Sequence, residues 1–196
     1  MILDIISIGD PVLRMKAKKI QVFDRDLRNL AENMLETLRN SGGVGLAAPQ
    51  IGDSIRMIVV EYADTEKDEN AKPQTFTLVN PEITGHSAET ETGVEGCLSV
   101  PGLVGEVERW QSVKIKAQNL AGKPVKVSAE GWLARIFQHE IDHLDGICYV
   151  DRTDNVWKPE DKPEGEDDEG AESGEENSAR GGSDPEGQAP NPESGI

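Results

Sequence analysis

A change in composition at residue 158 limits what this chain can fold into more than any other feature. From Lys158 to Ile196 there is no aromatic residue, and Ile196 is the only large aliphatic one. The same stretch carries 13 acidic residues against 3 basic ones, with seven glycines and five prolines. Such a segment cannot bury enough apolar surface to offset the entropy of ordering it. Residues 158–196 are therefore expected to form an acidic, disordered tail. The fold is left to residues 1–157, the size of one ordinary domain.

Of the net charge of −17, the tail accounts for −10, leaving −7 for residues 1–157. An acidic surface is a poor match for phosphates, so direct nucleic-acid binding is not expected. No apolar run approaches the roughly 20 residues of a membrane span. The opening "MILDIISIGDPVLR" has Asp4 inside its apolar stretch and no basic residue ahead of it, unlike a signal or transit peptide. Two cysteines, Cys97 and Cys148, are too few for a disulfide framework and point to a reducing, cytoplasmic setting.

Along the chain, "FDRDLRNLAENMLETLRNSGG" sets Leu27, Leu30, Met34, Leu35 and Leu38 on one helical face. Asp24 is placed to cap that helix and Gly42 to stop it. "GGVGLAAPQIG" is too rich in glycine for a regular helix. "IRMIVVEY" (55–62) and "TFTLVNPEI" (75–83) read as strands, and "SVKIKAQ" with "PVKVSA" reads as a hairpin around "NLAGK". Between them, "ETGVEGCLSVPG" (91–102) reads as a short apolar piece bounded by glycines and a proline. In "SAEGWLARIFQHEIDHLDG", Leu133, Ile136, Phe137, Ile141 and Leu144 recur with helical period, with Ser128 placed to cap the start and Gly146 to close the end. The pattern predicts an α+β fold, with mainly antiparallel sheets packed around a central C-terminal helix and one helix near the N-terminus.

That last helix carries His139-Glu140-Ile141-Asp142-His143, a match to H-E-x-x-H. Residues four apart share a helical face, so His139 and His143 can grip one metal ion, and Glu140 can reach a water on it. A catalytic site needs a third protein ligand and keeps one position open. The residues downstream of His143 offer no histidine, and Tyr149 stands where the metzincin pattern requires one. The third ligand is therefore expected upstream, from His86, Cys97 or a carboxylate. His86 lies in the polar stretch "TGHSAET", which reads as a solvated loop. Cys97 offers a thiolate, a strong ligand for a borderline-soft ion. The competing role for a free cysteine is a small buried hydrophobe, which suits Cys148 in "GICYV" better.

Three separated segments, "GVGLAAPQ" (43–50), "EGCLS" (95–99) and "QHEIDHL" (138–144), resemble the three motifs of the peptide deformylases, in that family's order. The resemblance runs over about residues 1–157, including the "GDPVLR" start, and leaves out the tail. It implies removal of the N-formyl group from the formylmethionine of nascent polypeptides, with transient proximity to the ribosome. It also implies one divalent metal ion held by Cys97, His139 and His143, iron(II) in the cell with zinc as the alternative. By the same resemblance Glu140 is the general acid and base, and Gln50 with the backbone N–H of Leu98 stabilises the oxyanion. Glu95 and Arg109 would form a pair that holds the Cys97 segment. Gly43, Val44, Gly45, Val94, Leu98 and Ile136 would line the substrate site. Two other readings are a general HExxH metallopeptidase, which lacks its downstream ligand here, and an inactive deformylase-like metal-binding protein. A purely structural metal site would need neither Glu140 nor Gln50.

Overall fold

The Asp24 side chain accepts a hydrogen bond from the Leu27 N–H at 3.0 Å and starts helix α1 (Arg25–Ser41). Gly42, with φ of 69°, ends it in the left-handed conformation that glycine adopts without strain. In this computed structural model, residues 1–64 and 68–159 are described. The expected tail lies, from residue 160 onward, outside the described residues.

After α1 the chain forms β1 (Gly45–Ala47), a 3-10 turn (Ala48–Ile51), β2 (Met57–Tyr62) and β3 (Gln74–His86). A hairpin, β4 (Thr90–Cys97) and β5 (Val100–Trp110), follows, then a second one, β6 (Ser112–Gln118) and β7 (Pro124–Glu130). Helix α2 (Gly131–Leu144) and a short strand β8 (Val156–Trp157) complete the order. One sheet runs β1-β2-β3-β6-β7 and the other β4-β5-β8, and every pairing within them is antiparallel.

The first sheet is covered on both faces, and β2 shows how. Ile58 and Val60 join a core with Phe137, Ile141 and Leu144 of α2, while Met57 and Val59 join one with Leu27, Met34 and Leu38 of α1. Four consecutive apolar residues are what a doubly covered strand requires. Phe76 meets Phe137 edge to face at 5.3 Å, locking α2 onto β3. The other side of α2 faces the β4–β5 hairpin.

The structure corrects three local expectations. Residues 91–102 are the turn end of a long hairpin rather than a short apolar piece. Their inward positions include Glu95 on β4, which is buried together with Val107 and Arg109 of β5, so charged residues mask the apolar alternation. Pro101 is accommodated near the start of β5, away from β8, which pairs only at Val104 and Gly105. Ser128 does not cap α2. It sits inside β7 opposite Lys114, and Glu130 occupies the cap position with no side-chain bond. His86 ends β3 rather than lying in a loop, and its ring stacks on Trp110 at 3.8 Å with 9° between the planes.

Candidate active site and metal centre

Cys97 ends β4 at a register shift, and only Leu98 and Ser99 separate it from β5. This tight turn carries its sulfur to the two histidines of α2. Cys97 Sγ lies 3.2 Å from His143 Nε2, and ligand atoms of Cys97, His139 and His143 all fall within 4.8 Å of one another. One thiol and two imidazoles at that spacing form a donor set suited to a borderline-soft cation. His86, at the exposed end of β3, is not part of this group.

The second ring nitrogen of His139 has a partner of its own. His139 Nδ1 lies 2.8 Å from Glu95 Oε2. A carboxylate only accepts, so Nδ1 carries the proton and Nε2 is the atom left for a metal. Burial works against a charged His139, but hydrogen bonds to Cys97 and Glu95 and the charge of Glu140 outweigh it and raise the ring to about 10. His143 goes the other way, held well below its ordinary value by burial and by the charge on His139.

Glu95 is itself buried and fixed. Arg109 Nε and Nη2 donate to its two oxygens at 2.8 and 2.9 Å, and Arg135 Nη1 donates at 3.0 Å. Against the opposing effect of burial, Arg109 and His139 hold Glu95 well below the usual carboxylate range. Arg109 also donates to Asp142, which is shared with Arg152. Arg135, Asp142 and Arg152 were not singled out as site residues from the sequence. For Arg135 and Asp142 the signal was present in α2 as polar residues interleaved with an apolar stripe; Arg152 lies after the helix.

Glu140 is buried, and burial pushes its carboxyl up to about 7. Its Oε2 has no hydrogen-bond partner among the described residues. Its Oε1 packs against Gly45, where an added Cβ would lie only 2.4 Å away. That approach is why position 45 carries no side chain. Gln50 is buried in the 3-10 turn and divides its amide between two tasks. Its Oε1 accepts from the Ala47 N–H at 2.8 Å, so its Nε2 must point the other way. That Nε2 lies 3.3 Å from Ser99 Oγ and 3.5 Å from Cys97 Sγ, beside the ligand cluster.

These residues open onto one cavity of about 440 Å³, which Gly43, Val44, Gly45, Leu98 and Ile136 also line. Trp132, Leu103 and Val104 add apolar wall that the sequence did not assign. Arg109 sits behind the wall, bonded to Glu95. Val94 is a correction. Side chains alternate along β4, so with Glu95 turned inward Val94 faces solvent, 42% exposed, and does not line the cavity. Cys148 is fully buried, and burial pushes its thiol up to about 11, as befits a packing residue.

The polypeptide deformylase family model matches residues 2–158. A peptide deformylase of Desulforudis audaxviator is 48% identical over 157 residues, covering 80% of this chain and 97% of that protein. The crystal structure of a Thermotoga maritima peptide deformylase is 43% identical, with a TM-score of 0.70 over 78% of this chain and 97% of that one. A Met-Ala-Ser-bound peptide deformylase from Acinetobacter baumannii is 38% identical, with a TM-score of 0.73 over 78% and 99% of the two chains.

Proposed function

Because this chain belongs to the peptide deformylase family, we propose that Cys97, His139 and His143 hold its metal ion, that Glu140 moves the proton, and that Gln50 and Leu98 receive the oxyanion. The reaction is hydrolysis of the N-terminal formyl group of formylmethionyl polypeptides, releasing formate and a free amine. The observation that carries the site assignment is the convergence of one thiol and two imidazoles beside the buried, unpartnered Oε2 of Glu140.

A divalent ion in this donor set lowers the pKa of water and polarises a carbonyl, which no side chain here can do alone. We take iron(II) as the native ion, with zinc suited to the same ligands. Glu140, in its ionised form, takes a proton from water as the water oxygen bonds to the formyl carbon. Its raised value, about 7, suits a group that must both accept and return a proton near neutral pH. Charge then develops on the formyl oxygen. The Gln50 amide and the Leu98 N–H donate to it, and one such donor is typically worth about 3–4 kcal/mol. Glu140 finally passes its proton to the methionine nitrogen as the C–N bond breaks. Ile136, Leu98 and Trp132 offer an apolar wall for the methionine side chain, and Gly43 with Gly45 lets an extended peptide backbone approach.

Among the described residues no helix is long and apolar enough to cross a membrane. We place the activity in the cytoplasm, on nascent chains near the ribosome and without direct nucleic-acid contact.

Anaerobically prepared, iron-loaded protein should release formate from formyl-Met-Ala-Ser and leave the N-acetyl peptide intact. No formate from the formyl peptide would defeat the assignment. Cys97→Ala should lose metal and Cys148→Ala should keep it. The reverse pattern would mean the wrong cysteine has been assigned.

A further inference from the structure

Arg135 is 5% exposed and held on every side. Its Nη1 donates to Glu95 Oε1 at 3.0 Å and to the Val107 carbonyl at 2.7 Å, and its Nη2 donates to the Glu91 carbonyl at 2.6 Å. The Gly93 carbonyl lies 3.4 Å from Nη1, and a Cβ on Gly93 would come within 2.9 Å of the guanidinium carbon. Trp132 covers it, with its ring centre 5.8 Å away. A guanidinium locked this way has no freedom to follow a drifting partner, so its partner must follow it.

That partner is Glu95, and the geometry on its carboxylate is specific. Arg135 stands one helical turn before His139, so both residues present to the same side of α2. Arg135 bonds Oε1 and His139 bonds Oε2, so α2 grips a single carboxylate at two points. Arg109 contacts both oxygens from β5 and also donates to Asp142, which is itself shared with Arg152. Without Arg135, Oε1 would lose its direct bond to α2 and keep only its bond to Arg109, so the carboxylate could shift together with the Arg109 fork. Its Oε2 would then swing off His139 Nδ1, and the His139 ring would lose its fixed plane.

We propose that Arg135 is a positioning residue for the reaction: by locking the rotation of the Glu95 carboxylate it aims the Nε2 of His139 at the metal. The partner of a ligating histidine typically contributes 10–100-fold to metal affinity, and Arg135 acts one bond further out through that partner. The inference rests on the reading of His139 as a ligand.

The test uses the full chain, loaded with cobalt(II) and titrated with a competing chelator. Arg135→Ala is expected to weaken cobalt binding about tenfold and to shift the visible absorption bands of the bound ion. Added guanidinium ion is expected to restore part of both. Arg135→Lys keeps the charge but cannot bond Glu95 and the carbonyls together, so it too should bind more weakly than the parent. A merely structural role would lower the melting temperature and leave affinity and spectrum alone. Parent-like affinity and bands in Arg135→Ala would overturn the proposal. If that variant does not fold, the same result in Arg135→Lys overturns it. A parent chain that binds no cobalt, or a Cys97→Ser variant that binds it normally, would instead refute the ligand assignment on which the inference rests.

Discussion

The two helices of this protein are built on opposite logic. Helix α1 has a side-chain cap at Asp24 and a glycine stop at Gly42, and it buries one stripe: Leu27, Ala31, Met34, Thr37 and Leu38. Helix α2 has no side-chain cap, and every residue from Ala134 to Leu144 is buried. Six of those eleven are Arg135, Gln138, His139, Glu140, Asp142 and His143, so polarity does not mark the solvent side. Buried polar groups destabilise unless they are partnered, and burying charges is costlier still. For Arg135, Gln138, His139 and Asp142 the partners come from β4, β5 and the segment after α2, whereas Glu140 Oε2 and His143 Nδ1 have none among the described residues. The first helix is shaped by its own residues, whereas the second depends on a hairpin for most of its polar partners. The dependent helix is the one that carries His139, Glu140 and His143 of the proposed site.

The sharpest way to separate the two helices is to remove the group on α2 to which proton transfer is assigned. Glu140→Gln is nearly isosteric and should lower turnover of formyl-Met-Ala-Ser by about 10²–10⁴-fold, with metal content unchanged by elemental analysis. Surviving turnover would take the proton-transfer role away from Glu140. Next in size is Arg109→Met, which strips Glu95 and Asp142 of their shared cation. Breaking a buried charge pair on one side typically costs about 3–5 kcal/mol, so the urea midpoint should fall together with metal affinity. A loss confined to activity would show that the pair is not holding the hairpin to α2.

On α1 the effects should be smaller and blind to chemistry. Asp24→Ala removes the cap and should cost about 1 kcal/mol in urea unfolding, with kcat and KM unchanged. A change in kcat would mean that α1 is coupled to the site. The smallest effect should come from the link between α1 and β2, where Arg39 Nε and Nη2 each donate to Glu61 at 2.7 Å. Those hydrogen bonds, with one from Thr75, lower the Glu61 carboxyl from 4.5 to about 2. A depressed carboxyl contributes stability above its unfolded value and loses it as pH falls through the folded one. The melting temperature of Glu61→Gln should therefore lie slightly below the parent above pH 4.5, with the gap closing toward pH 2. A gap that stays constant over that range would remove Glu61 ionisation as its source.

The same contrast explains which features the sequence made readable. Asp24, Gly42 and the period of Leu27, Met34 and Leu38 are local signals, and they match helix α1 at both ends. The hairpin of β6 and β7 alternates cleanly because one face is apolar. The β4–β5 hairpin escaped notice because its inward residues include Glu95 and Arg109, whose burial makes sense only once α2 lies against them. The H-E-x-x-H spacing and the three family motifs brought the metal donors within reach of reading. Arg135 and Asp142 were not, since a charged residue in a helical stretch ordinarily marks the solvated side, and Arg152, beyond the helix, carries no local signal of its pairing with Asp142. Val94 failed for a related reason. A motif names the segment, but only the strand register says which of two neighbouring side chains turns inward.

Cys97 sits at the tip of a hairpin, while His143 lies 46 residues further on, near the end of a helix. A cation shared by the two therefore does what a covalent cross-link does. It closes a long loop and removes conformations from the unfolded chain rather than adding contacts to the folded one. With the proposed ion bound, the reaction centre would double as a clasp between the hairpin and the helix, added to the bonds that Glu91, Glu95 and Arg109 already make to α2. Oxidation of the Cys97 sulfur, or extraction of the ion, would open that clasp, so catalytic competence and resistance to heat would disappear in one event rather than two.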